Sequence, residues 1–89
     1  MTRRALTDPS LTDAERFELS ADQAFAYADR ADRMAAAGAG FAIVANLALA
    51  AVFAGENHWR TAIAMDRSPE PMALEAVATG RALLRSSRL

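Results

Sequence analysis

The sequence predicts an all-α fold: an antiparallel helical hairpin over about 12–37 and 41–66, a shorter C-terminal helix over about 69–85, and assembly of copies into an oligomeric bundle. Three observations carry this. Residues 35–55 contain no charge and are apolar around every side of any helix they could form, so they need cover from protein or from lipid. Upstream, Phe17, Ala21, Ala24, Ala28, Ala31 and Ala35 recur at threes and fours, the spacing of one buried helical face. Between the two segments Gly38 and Gly40 bracket Ala39, and a Gly just past a helix accepts the left-handed conformation that ends it.

Taken in order, residues 1–11 read as a loose arm containing Arg3, Arg4, Pro9 and Ser10. Thr12 and Glu15 have capping-box spacing, which starts the first helix. Ser20 and Gln23 repeat that spacing and could restart it; the continuous reading is preferred. Asp22, Asp29, Arg30, Asp32 and Arg33 fall away from the apolar stripe, with Asp29 and Arg33 spaced as an i,i+4 pair. The second helix runs from about Phe41 to Asp66 or Arg67, with Gly55 as a candidate kink and Glu56 and Arg60 as a second i,i+4 pair. Ser68-Pro69-Glu70 signals a third start: a cap, Pro at the first position, then an acid. Pro71 and Gly80 are expected to weaken that helix. One domain spans 12–85, and 86–89 form a tail.

The two long arms are equal in length, each about 39 Å at ~1.5 Å per residue. A joint of three residues makes them antiparallel, so residues whose numbers sum to about 78 lie at one level. Phe25 is expected to meet Phe53, Met34 to meet Val44, and Ala24 to meet Ala54. Asn46, the one polar residue inside 35–55, falls level with Asp32.

Composition narrows the options further. A chain of 89 residues with 23 Ala has little volume to fill a core, and one this short buries only about 60–65% of its unfolded surface. Self-association is the usual remedy. The chain has no Cys, which excludes disulfide and thiolate chemistry. Ten basic residues, all Arg, nearly balance the acids to a net charge of −1, leaving no long-range field to gather nucleic acid. No apolar run follows Arg3 and Arg4, so no secretory leader is expected and a cytoplasmic location is.

Candidate chemistry is sparse. His58 is the only histidine; Glu56 and Asp66 are not at the i,i+3 or i,i+4 spacing of a helical metal site, and a partly exposed structural histidine is expected. Glu15, Glu18, Asp22, Asp29 and Asp32 read as a solvated face. Ser20, Ser68, Ser86 and Ser87 have no base placed near them by any motif, and Ser20 and Ser68 read as helix caps. There is no glycine-rich phosphate loop and no Gly-x-Ser-x-Gly. The expectation is a non-enzyme without cofactor or metal.

What remains is interaction. Phe25, Phe41, Leu47, Leu49, Phe53 and Trp59 are the expected anchors of helix-face packing, with Asn46 able to set register in an apolar seam. The expected partner is a second copy, with a dimer favoured, or another protein. A competing plan is a small holin-like membrane protein with 35–55 in the bilayer; thirteen Ala or Gly in that stretch make it marginal for insertion. A third is a small nucleic-acid-binding regulator using Arg3 and Arg4 at one end and Arg81, Arg85 and Arg88 at the other, although arginines near a helix C-terminus also simply complement its dipole.

Arg30-Ala31-Asp32-Arg33, the glycine turn at 38–40, Leu47-Ala48-Leu49-Ala50-Ala51 and Trp59-Arg60 resemble small Ala-rich helical-hairpin proteins of actinobacteria and their phages. The resemblance covers residues 24–64. A His often stands three residues before the Leu-Ala-Leu in that group, and here Val44 holds the place. The resemblance implies a phage or actinobacterial origin and no particular activity.

Overall fold

A computed structural model describes residues 8–86 as three helices in the expected order: α1 (Asp13–Ala36), α2 (Phe41–Ala64) and α3 (Pro71–Ser86). Each helix packs on the other two, most extensively α1 on α2. Residues 1–7 of the expected arm (1–11) and Ser87, Arg88 and Leu89 of the expected tail (86–89) lie outside the described residues.

The capping box forms as the spacing requires. Thr12 Oγ1 accepts the Glu15 N–H at 3.2 Å, and the Glu15 carboxylate accepts the Thr12 N–H at 3.1 Å. The helix then runs unbroken through Ser20, which is buried and caps nothing. It ends as Gly38 turns to φ +80°; Ala39 N–H bonds to Met34 O at 2.9 Å and Gly38 N–H to Ala35 O at 3.1 Å, which satisfies the terminal carbonyls. α2 ends the same way without a glycine. Asp66 takes φ +54°, Arg67 N–H reaches Ala62 O at 2.8 Å, and Asp66 N–H reaches Ile63 O at 3.0 Å.

α3 starts two residues later than expected. Pro71, not Pro69, occupies the first position, where a missing N–H costs nothing, and Glu70 O accepts from Ala73 and Leu74 at 3.0 and 3.2 Å. Pro71 therefore founds the helix it was expected to disturb. Gly80 and Gly55 are also reassigned. Neither kinks nor ends a helix: a Cβ on Gly80 would sit 2.8 Å from Ala48 O, and one on Gly55 would overlap Val77 Cγ2. Both glycines let α2 and α3 approach closely.

The core is built from small side chains. Ala24 and Ala28 of α1, Ala51 and Ala54 of α2 and Ala76 of α3 form one buried cluster, with Tyr27 packed against it. The expected stripe on α1 is the buried face from Phe17 to Ala31, and Ala35 at its end is half-buried.

The antiparallel level is as expected, but one contact drawn from it is not. Ala24 and Ala54 share the core. Phe25 is half-exposed beside Ala76 and Thr79 of α3, whereas Phe53 is 60% exposed on α2. Level and facing are separate properties of a helix: Ala24 takes the inward position, and the next residue is turned about 100° away. Asn46, level with Asp32, is exposed. Nor is α2 enclosed on all sides within one chain, since 39% of its most apolar stretch is buried.

Candidate functional site

Two features stand out: a buried polar node around His58, and the uncovered side of α2.

His58 is fully buried, which corrects the partly exposed histidine expected from sequence. Its Nε2 accepts the Glu70 backbone N–H at 3.1 Å. A backbone amide can only donate, so in the neutral ring Nδ1 carries the proton. Nδ1 lies 3.0 Å from Phe17 O and 3.0 Å from Ser20 Oγ. Ser20 Oγ in turn donates to Phe17 O at 2.9 Å, leaving its lone pairs to share the Nδ1–H. The ring also stacks on Phe17 with centroids 4.3 Å apart at 38°, and the Arg67 guanidinium lies 4.5 Å from the centre of the Phe17 ring.

A hydroxyl 3.0 Å from an imidazole has the separation of a nucleophile and its base. The roles are wrong for that. The nitrogen facing Ser20 carries the proton, the serine hydrogen is directed to a carbonyl, and both side chains have no exposed surface. The node joins α1, α2 and the start of α3, with each polar atom satisfied. Sequence reading missed it because Ser20 and His58 are distant in the chain. The signal was available in the antiparallel level, since 20 and 58 sum to 78 as the hairpin requires.

The second feature is the side of α2 opposite its buried face. Val44, Ala48, Ala51, Ala54, Gly55, His58 and Ala62 face α1 and α3. On the outer side Leu49 is 42%, Phe53 60% and Ile63 64% exposed, in line with exposed Ala42, Asn46 and Arg60 and part-exposed Glu56. Phe41 and Trp59 are exposed at the margins and Leu47 is half-buried. Of the expected anchors, the structure thus brings Leu49, Phe53 and Asn46 onto one line, with Trp59 beside it. Phe25 belongs elsewhere, at a shallow groove with Asp29, Asp32 and Glu75.

Charged side chains near this surface are partly paired. Glu56 meets Arg81 of α3 at 3.5 Å rather than Arg60, and Asp29 meets Arg33 at 3.1 Å as the i,i+4 spacing anticipates. Among the described residues no group of His, Asp and Glu is arranged to hold a metal ion. No protein-family model, curated protein or solved structure matches the chain.

Proposed function

We propose that this chain is a non-enzymatic protein-interaction module whose working surface is the outer side of α2. One observation carries the reading: Leu49, Phe53 and Ile63 form an exposed apolar line on a helix whose opposite side is fully used in the core. Large apolar side chains exposed along one side of a helix in so small a domain mark a surface meant to be covered. Along that side Leu49 and Phe53 are flanked by Asn46 before them and by Glu56 and Arg60 after them, in keeping with an apolar centre and polar margin.

α2 also has the length and composition to cross a membrane, with a mean hydropathy of 1.3 over its best stretch. Its neighbours argue for an aqueous bundle. Asp29, Arg30, Asp32 and Arg33 of α1 are level with the middle of that stretch, so α1 cannot follow α2 into lipid without burying them. If α2 entered alone, Ala48, Ala51 and Gly55 would lose the helices they pack against.

The test is fractionation of the expressed full chain. The expected result is release into the aqueous phase by a carbonate wash, with α-helical circular dichroism in plain buffer. Recovery only in detergent would overturn the reading.

A further inference from the structure

The outer line of α2 has the spacing that pairing with another helix uses. Ala42, Asn46, Leu49, Phe53, Glu56, Arg60 and Ile63 are separated alternately by four and three residues, the seven-residue repeat of a seam between two paired helices. Val44, Ala51 and His58, buried against α1 and α3, hold the position of that repeat farthest from the seam. The seam and the core therefore use opposite sides of one helix.

We propose that the occupant of this seam is a second copy of the same chain, lying antiparallel to the first about a two-fold axis at the level of Ala51. The proposal rests on the interaction reading above and names its partner. Three arguments on charge and size select this arrangement.

A parallel pairing would stack Glu56 on Glu56 and Arg60 on Arg60 across the seam, two like-charge contacts that disfavour it. Antiparallel pairing centred at 51 instead sets Leu49 of one copy against Phe53 of its partner, and the reverse, forming an apolar centre. Asn46 then meets the partner's Glu56 on each side, so an exposed amide donor faces a part-exposed carboxylate. Arg60 falls opposite Ala42, so a large side chain meets a small one.

Sliding the pair along by one step is worse in each direction. Toward the start of α2 it sets Leu49 against the partner's Asn46 and carries Glu56 beyond Phe41, where the partner's helix begins. Toward the end of α2 it meets charge. One shift sets Phe53 against the partner's Glu56 and Leu49 against Arg60. A further shift pairs Glu56 with Arg60 but carries Leu49 beyond Ala64, the end of the partner's helix. The register centred at 51 uses the exposed line along most of α2 and sets no charge against Leu49 or Phe53. The paired α2 helices would form the centre of a six-helix assembly, with α1 and α3 of each copy outside.

Because the chain has no Cys, single cysteines report the register directly. A tagged Asn46→Cys chain is mixed with an untagged Glu56→Cys chain, both full length, and mildly oxidised. The expected product is a disulfide-linked heterodimer, with little self-linking of either chain. Self-linking of Asn46→Cys would show a parallel pair, and linking of Glu56→Cys with Arg60→Cys a shifted one; either overturns the proposal. Sedimentation of the unmodified chain should give a dimer, and Phe53→Glu should weaken its association about a hundredfold while leaving the helical spectrum unchanged.

A dimer that survives Phe53→Glu, or a chain monomeric at high micromolar concentration, also overturns it. The monomeric outcome leaves the outer side of α2 open to a different protein, so the interaction reading stands. Recovery only with membranes removes both.

Discussion

Nε2 of His58 holds the backbone N–H of Glu70 at 3.1 Å, which ties the residue just before α3 to the last third of α2. The same ring reaches Phe17 and Ser20 on α1 through Nδ1. A single imidazole thus does what the alanine interface cannot do: it specifies how three smooth helices are placed.

Removing that ring should be costly. His58→Ala leaves a part-buried amide without its acceptor and opens a cavity beside Phe17, and the expected loss is about 3 kcal/mol in urea unfolding. His58→Leu, which fills the space but cannot accept, should recover only part of it. In the intact chain, nitrogen NMR should show Nδ1 protonated and Nε2 bare; the opposite tautomer would refute the network as drawn.

Gly80→Ala should destabilise by about 2 kcal/mol, because its Cβ would meet the Ala48 backbone carbonyl, which cannot move without shifting α2. Gly55→Ala meets a side chain instead. The double change Gly55→Ala with Val77→Ala should therefore be less harmful than the sum of the two single changes, a coupling readable from a double-mutant cycle.

Asp66 occupies the left-handed region at φ +54° just past the end of α2. Glycine adopts this conformation without a Cβ penalty, and the change also removes a negative charge from the helix C-terminus. Asp66→Gly should stabilise the fold by about 0.5–1 kcal/mol, seen as a higher melting temperature. A lower one would show that the carboxylate has a structural role.

The two sides of α2 should respond oppositely to charge. Ala51→Glu buries an unpaired carboxylate where no surface is exposed and should cost about 4 kcal/mol or more. Phe53→Glu, on the outer side, should shift the stability of the single folded chain by no more than about 0.5 kcal/mol. Melting below the concentration of association separates the two effects.

Much of the fold was legible in the residues. Thr12 and Glu15 marked a start because a capping box depends only on local spacing. The period of Phe17, Ala21, Ala24, Ala28 and Ala31 marked a buried face, and Gly38 marked a stop. Local signals failed where they were ambiguous. Ser20 with Gln23 imitated a cap, and Ser68-Pro69 imitated the start that Glu70-Pro71 provides. The candidate surface was only partly legible. Leu49 and Phe53 were recognisable as anchors, but Phe25 was assigned to the same contact because its level was known and its direction was not.

Sequence alone determined that there are three helices, where they turn, and which stripe of α1 is buried, since each depends on neighbours a few positions apart. It could not determine which side of α2 is covered, because residues 35–55 are apolar all round and periodicity carries no direction there. Tertiary structure decided that question. The close approach of α3 at Gly55 and Gly80, together with the His58 node on α1, turned one side of α2 inward and left Leu49, Phe53 and Ile63 outside.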